Sequence, residues 1–481
     1  MSAAKPARPL ARQGGAALLL AALPAFLALA LALSQHGLIG DIGFDIANGR
    51  WILAHGQIPL ANHLTFAMAG SYWSNEEWLF GVYTAWLYGL GGGLAVWLGL
   101  LPLLLGTALL VARWAQGLGP YWQTIWPLGA AVAIMPVMEP RPQLVSFFLF
   151  ALALTALAAA RAGRPGLLWL AAATALPWVQ VHGSVVLLPL VLALGLIWPT
   201  PGLRRRSLAG PFALSAALLL VRPGGPLAVL RNLLDVGSGG NTNVIAEWAS
   251  PNFHTAWAMV AGLILIVALT TLAPALGRQR RWADLALLLG SAVAFLYAAR
   301  FLPYFVLVAA WLGAPLVPER LRIRAGEAPA RRRALAVTLL ASAALAVALL
   351  TRPIFPARAP LGAIGYLRAH KASNVFAAYQ IGAALELYGV TPYLDSRDNL
   401  WLQRPWWPRF IAVTDGSMSV TRYLARYDPQ ARYVLWQTQS PVAVELEQSP
   451  AWRRVLVDPN PLDPSRAAYG AYAVWRKESP Q

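Results

Sequence analysis

From Gly14 to Leu350 the chain alternates between long apolar stretches and short polar connections. The apolar stretches run to about 17–22 residues, long enough as helices to cross a hydrocarbon core roughly 30 Å thick. They predict spans over residues 16–33, 94–112, 121–138, 143–160, 166–181, 183–199, 207–221, 256–276, 282–298, 302–317 and 333–351. A further segment, 78–90, is too short for an ordinary span and reads as a partial or re-entrant element. Beyond residue 354 the pattern changes to short β-branched and aromatic runs bounded by Pro, Gly, Asp and Asn: "NVFAAY", "GVTPYLD", "ARYVLW", "WRRVLVD" and "AYAVWR". Such runs read as strands, with short helices between them at Ser419–Tyr427 and Pro441–Gln448. The expected fold class is mainly α: a polytopic helical membrane protein of about eleven spans with a C-terminal α/β domain. Its parts would be a basic N-terminus (1–15), a transmembrane module (16–353) with a first outer loop at 36–77, and a soluble domain (354–481).

Charge assigns sides to this pattern. Only 12% of the 481 residues are charged and 58% are hydrophobic, with a mean hydropathy of +0.53 and a net charge of +18. Arg113, Arg161, Arg164, Arg204–Arg206, Arg278–Arg281 and Arg320–Arg333 all fall in connections on one side of an eleven-span arrangement. Short basic loops mark the cytoplasmic side, so the excess of positive charge reflects topology and not a nucleic-acid partner. The basic start could precede a cleaved signal peptide, but 16–33 is long for one and reads as a retained first helix. The N-terminus is then cytoplasmic and the C-terminal domain extracytoplasmic. Zero Cys excludes disulfides, thiolate catalysis and thiolate-bound metals.

The acids do not follow the bases. Asp41, Asp45, Glu76, Glu77, Glu139, Asp235 and Glu247 all gather in outer connections. Asp41 and Asp45 share one helix face if a helix follows Gly40. A partly shielded carboxylate there can serve as general base toward a sugar hydroxyl or hold a divalent cation; Asp41 could instead be a helix cap. Glu76 and Glu77 in "NEEW" could likewise be explained by the dipole of the helix they open, and Trp73 and Trp78 as interfacial anchors. Glu139 and Arg141 lie between two prolines in "EPRPQ". An Arg there can pair with Glu139 or bind a lipid phosphate bidentately. His182, Arg222, Arg300 and the loop at 241–254, with Glu247 and Trp248, fall at the same depth. Together they make a basic pocket facing an acidic one. Neither a P-loop nor a dinucleotide-binding glycine pattern is present.

Taken in order, an acid after the first helix, "GRWILAHGQIPLANHLTFAMAGSYWSNEEWLF", "EPRPQLVSF", "WVQVHGS", "IAEWASP", "AARFLPYF" and "NVFAAYQIGAALELYGVTPYLDSRDNLW" form a recognisable set. The set resembles a largely uncharacterised family of bacterial polytopic proteins allied to the GT-C superfamily, glycosyltransferases that use polyprenyl-phosphate-linked sugars. The resemblance covers about residues 36–476. It implies a GT-C-like module in a bacterial cytoplasmic membrane with its site on the extracytoplasmic face, and Asp41 in the place of the first-loop acid that acts as base or metal contact. This chain departs from the family pattern in having Asp45 in place of a His, Glu76 before the matching Glu77 in place of another, Asn62 in place of an Asp, and Ser396 in place of a Gly in an "IDGR"-like element.

These readings converge on a membrane glycosyltransferase moving a sugar from a polyprenyl-phosphate donor to an extracytoplasmic glycan, lipid or protein. Asp41, Glu77 and Asp45 are the expected catalytic residues, and Glu76, Arg141, His182, Arg222, Glu247 and Arg300 the expected substrate-binding ones. No cofactor is required beyond a candidate divalent cation. A lipid or glycan transporter and a non-catalytic envelope scaffold remain open alternatives.

Overall fold

The computed structural model describes residues 15–36, 38, 40–199, 201–228, 247–317, 328–354, 359–397, 400–401, 404–459 and 471–478. The basic N-terminus before residue 15, Arg231, Asp235, the start of the 241–254 loop and the Arg320–Arg324 cluster lie outside them.

Six helical segments among the described residues are long and apolar enough to cross a membrane: 15–34, 78–114, 143–161, 256–278, 299–316 and 331–350. The other five expected spans are shorter helices, over 120–134, 167–179, 183–197, 205–218 and 282–297. Each falls short of the roughly 20 residues that a straight crossing needs. Proline and glycine punctuation accounts for much of the shortening, at Gly119–Pro120, Gly166 and His182–Gly183.

Burial separates inner from outer helices. The helix Leu302–Gly313 is buried at every position. It packs with α1 (Gly15–Ser34), α3 (Trp78–Trp114), α4 (Pro120–Ile134) and α5 (Gln143–Arg161) in one apolar core. On α1 the buried positions are mostly Ala, including Ala21, Ala22, Ala25 and Ala28, small side chains that let helix backbones approach closely where lipid offers no hydrophobic drive. The segments 256–278 and 331–350 are mostly exposed and face outward. At the end of α5 away from Gln143, Arg161 binds Asp284 bidentately at 2.6 and 3.1 Å. Arg281 joins the same carboxylate at 2.7 Å. This is the one deeply placed charge cluster among the described residues of that end, and in it two guanidiniums share the single buried carboxylate.

α3 is not one straight rod. Gly91 and Gly92 carry non-helical backbone angles, and Tyr83 Oη donates to Gly99 O at 2.8 Å. In a straight helix those residues would stand about 24 Å apart, so the arm 78–90 folds back on the rest. That arm packs against α2 (Asp41–His55), where Gly49 and Gly81 allow contact of the two backbones: a Cβ on Gly49 would lie 2.0 Å from Gly81 O.

Five strands, β1 (Ser373–Ala377), β2 (Thr391–Pro392), β3 (Tyr433–Gln437), β4 (Trp452–Asp458) and β5 (Tyr472–Lys477), form one sheet in the order β2-β1-β3-β5-β4. β1 runs parallel to β2 and β3, and β5 antiparallel to β3 and β4. The two helices expected here are present, capped by the side chains of Ser419 and Ser440. The first outer loop closes onto this unit: Phe66 N donates to Pro392 O at 2.9 Å and Ala67 N to Tyr393 O at 2.8 Å. The β2 edge is thereby covered, which removes an open edge strand. Trp73, an expected membrane anchor, is instead 5% exposed and packs with Phe44 among the aromatic residues beneath the sheet.

Candidate active site

α2 begins at Asp41, with Gly40 as its N-cap. Asp41 and Asp45 therefore stand one turn apart on a real helix, as their spacing predicted. Asp41 is not the cap: it lies in the first turn, and no side-chain hydrogen bond closes that end. Glu77 is the N-cap residue of α3 but also makes no capping hydrogen bond. Capping therefore leaves both acids unexplained.

Two asparagines hold the acidic corner together. Asn48 Nδ2 donates to Asn75 Oδ1 at 2.8 Å, and Asn75 Nδ2 donates to Pro59 O at 3.0 Å. Asn75 adopts positive φ of 43°, a conformation Asn tolerates better than most residues, and it turns the chain so that Glu76 and Glu77 follow beside α2.

Arg141 is the hub. Its Nε lies 3.2 Å from Asp41 Oδ2 and 2.6 Å from Glu139 Oε2, and its Nη1 lies 2.5 Å from Glu247 Oε2. The other oxygen of Glu247 pairs with Arg300 at 3.3 Å, and the Arg300 guanidinium sits 4.2 Å above the Trp248 ring. Backbone bonds from Ala299 N to Ala249 O and Arg300 N to Glu247 O, each 3.0 Å, fix this loop to the start of its helix. Arg222 pairs with Glu76 at 3.1 Å. The sequence-predicted residues are thus brought together, with Arg222 and Glu76 forming a flank beside Gly183.

Burial sets the proton balance. It raises the pKa of Asp41, against the lowering effect of Arg141. It raises Asp45 and Glu77 further, well above the usual carboxylate range, with repulsion from neighbouring acids adding to it. Asp45 is 1% exposed, and its Oδ2 has no hydrogen-bond partner among the described residues. Glu247 shifts the other way: burial opposes its charge, but Arg300 and Arg141 together lower its pKa. His182 is pushed down to about 3, by burial first and by Arg300 next. A neutral imidazole suits its contacts, with Nδ1 at 2.7 Å from Ser184 Oγ and 3.2 Å from Ser146 Oγ.

Sequence reasoning quoted "LDSR" but did not give Arg397 a role. Its guanidinium is buried on Asp395 at 2.6 Å, donates to Asn62 Oδ1 at 2.9 Å, and stacks 4.4 Å over Trp73. Its charge also opposes the rise in the Asp45 pKa. Asn62 donates to Thr65 Oγ1 at 2.8 Å and Ala67 O at 3.0 Å, which a carboxylate in its place could not do. Ser146 and Ser184, the partners of His182, were also missed; the His-Gly-Ser spacing of 182–184 is the signal that pointed to the second. Among the described residues no three acid or histidine side chains converge as a metal-ligating group. Most of the acids are instead engaged by arginines or by one another.

The sequence matches no family model and no curated protein. Solved structures do match. The oligosaccharyltransferase AglB of Archaeoglobus fulgidus, in complex with an inhibitory peptide and a dolichol-phosphate, aligns with a TM-score of 0.57 at 14% identity, over 88% of this chain and 70% of that one. The same archaeal enzyme in complex with zinc and sulfate gives a TM-score of 0.54 at 14% identity, over 88% and 68%. The arabinofuranosyltransferase AftD from Mycobacteria gives 0.58 at 16% identity, over 98% of this chain and 42% of that one. The chain shares its fold with this oligosaccharyltransferase and this arabinofuranosyltransferase. This chain is a mainly helical membrane protein of that fold with a small C-terminal sheet.

Proposed function

We propose that the protein is an integral membrane glycosyltransferase that moves a sugar from a polyprenyl-phosphate donor to a hydroxyl acceptor on the extracytoplasmic side of a bacterial cytoplasmic membrane. The observation that carries this reading is Asp41, on the surface helix that follows the first span, held beside Arg141, Glu247 and Arg300 on a fold shared with lipid-dependent glycosyltransferases. The neighbour that binds dolichol-phosphate supports a lipid-linked donor.

In this reading Asp41 is the general base. Arg141 holds one of its oxygens and leaves the other for an acceptor hydroxyl. The acceptor oxygen forms its bond to the anomeric carbon as the bond from that carbon to the phosphate oxygen breaks. The electron pair leaves with the phosphate, and the acceptor proton passes to Asp41. Arg300, Arg141 and Arg222 supply fixed positive charge for the departing phosphate, where preorganised donors matter most. Asp45 and Glu77, whose pKa values burial raises well above the usual carboxylate range, line the corner behind the base. Glu76 and Glu247 orient the arginines, and His182 stays neutral beneath them. The outer domain selects the acceptor. A neighbour's bound zinc keeps a divalent cation among the candidate ligands of the acids, although no three acid or histidine side chains converge as a metal-ligating group among the described residues.

The test is purification in lipid nanodiscs, mass spectrometry of bound lipids, and incubation with polyprenyl-phosphate sugars. A bound donor in both wild type and Asp41→Asn, with product from wild type alone, is the expected result. Product from both removes the base. Donor bound without turnover in wild type points to the scaffold, and absence of any polyprenyl phosphate overturns the reading.

A further inference from the structure

A cavity of about 630 Å³ opens on the other side of α2 from the acids, between that helix, the first outer loop and the β2 edge of the sheet. Its walls include Arg50, Trp51, His63, Tyr88, Arg368 and Glu386. The two arginines differ from those of the acidic centre and from Arg397. Arg141, Arg222, Arg300 and Arg397 each have a carboxylate within 4.0 Å. Arg50 and Arg368 have none among the described residues.

Arg50 is nevertheless held in place. Its Nη1 donates to Leu387 O at 2.7 Å, and its plane stacks 4.7 Å over the Tyr88 ring. A guanidinium fixed by a carbonyl and an aromatic face keeps its charge and its remaining donors for a ligand. Arg368 is exposed on the helix Leu361–Ala369, and its side chain makes no hydrogen bond or ion pair among the described residues. The one carboxyl in the wall, Glu386, is 7% exposed and lies 4.0 Å from Arg397. Burial raises its pKa well above normal, which weakens its repulsion of an anion.

The elements around the cavity also carry exposed apolar side chains. Tyr88 lies between Trp86 and Leu90, which are 55% and 65% exposed, and Leu53, two residues beyond Trp51, is 55% exposed. Exposed apolar side chains of this kind on a surface helix and a folded-back arm seat those elements at the bilayer interface.

We propose that this cavity is a second anion site that takes the phosphate head group of a membrane lipid between Arg50 and Arg368, with the hydrocarbon chain lying against the Trp86–Leu90 arm. It is separate from the Asp41–Arg141 centre and does not depend on the transferase reading. The head group would bridge α2 and the outer domain, joining two elements that also frame the acids.

The test uses the full chain in detergent, stripped of lipid and titrated in native mass spectrometry with phosphatidylglycerol, phosphatidylcholine, glycerol 3-phosphate and polyprenyl phosphate. Wild type is expected to retain phosphatidylglycerol over phosphatidylcholine. Arg368→Glu, on an exposed position, should weaken phosphatidylglycerol binding on the order of tenfold, since each surface cation adds appreciably to anionic-lipid attraction. Arg50→Gln, which keeps a donor for Leu387 O, should do the same. Polyprenyl phosphate binding should survive both changes and be lost in Arg141→Ala. Equal retention of the two phospholipids, or no effect of either variant, overturns the proposal. Glycerol 3-phosphate binding as tightly as the lipid overturns the lipid assignment. Loss of polyprenyl phosphate in Arg368→Glu, with retention in Arg141→Ala, would make this cavity the donor site and overturn the separation claimed here.

Discussion

Arg141 Nε stands 3.2 Å from Asp41 Oδ2, so the proposed base and a proposed phosphate ligand are one ion pair. The pairing opposes the effect of burial on Asp41 and fixes the orientation of its carboxylate. Asp41→Asn keeps the shape and removes the base. Transfer should fall by roughly 10²–10⁴-fold, the usual contribution of a positioned general base, with expression and thermal stability unchanged. Product formation by radiolabel or mass spectrometry in membranes checks this, and unimpaired transfer would sink the assignment.

Replacing Arg141 by Gln should act differently. It leaves Asp41, Glu139 and Glu247 without their shared cation, and loss of a nearby positive charge raises a carboxylate pKa. The base must be ionised to work, so the acidic limb of the pH–rate profile should move to higher pH in Arg141→Gln. Asp41→Asn should abolish that limb instead. A lowered maximal rate with an unmoved limb would mean that Arg141 serves the phosphate alone.

Much of this was legible in the chain. Hydrophobic periodicity gave the helical module, and the shift in composition near residue 354 gave the five strands. The clustering of acids on one side led to Asp41, Glu77, Glu247 and their arginines, because charge placed at the ends of apolar runs has few places to go. Trp73 was misread because an aromatic residue near a span satisfies both the interfacial and the core reading until its neighbours are known. Arg397 was given no role because two of its partners, Asn62 and Trp73, lie more than 300 residues away in sequence. The fold-back of α3 depends on Gly91–Gly92, and glycine alone does not say in which direction a chain will turn.

The upward shift of two buried acids makes stability depend on pH with a definite sign. Asp45 and Glu77 have folded-state pKa values raised by burial. Between the ordinary carboxylate value near 4 and the raised one, the folded chain binds more protons than the unfolded chain. Stability therefore falls as pH rises through that window. Wild type should melt at a lower temperature at pH 8 than at pH 5, and Asp45→Asn should reduce the difference. Identical slopes in the two proteins would show that Asp45 is ionised in the fold.

Arg397 joins the outer domain to the first outer loop through groups that are almost fully buried: its side chain is 2% exposed and that of Asp395 0%. Removing one member of such a pair strands the other, at a cost of roughly 3–5 kcal/mol. Arg397→Ala should therefore unfold at lower temperature and expose residues 64–72 to limited proteolysis, while Arg454→Ala, which breaks a half-exposed pair with Glu447, should do neither. Equal resistance of the two variants to protease would remove Arg397 as the connection.

Two glycines of α2 separate the contributions of its two neighbours. A Cβ on Gly43 would lie 2.3 Å from Ala383 O, in the helix Tyr379–Leu387 of the outer domain. A Cβ on Gly49 would lie 2.0 Å from Gly81 O, in the arm of α3 that follows Glu77. Both distances are too short for any real contact, and in each case the obstacle is backbone, so an element must move. Gly43→Ala pushes the outer domain away from α2 but leaves the Asp45–Glu77 corner in place. Gly49→Ala displaces the arm behind Glu77 and leaves the outer domain seated. If the outer domain selects the acceptor, Gly43→Ala should raise the KM for acceptor with a smaller effect on donor binding. Gly49→Ala, by contrast, should lower kcat and shift the pH profile, because it alters the environment of the two buried acids. Kinetics at varied acceptor concentration decide the matter. An unchanged acceptor KM in Gly43→Ala, with the displacement confirmed by increased proteolysis at the first outer loop, would take acceptor selection away from the outer domain.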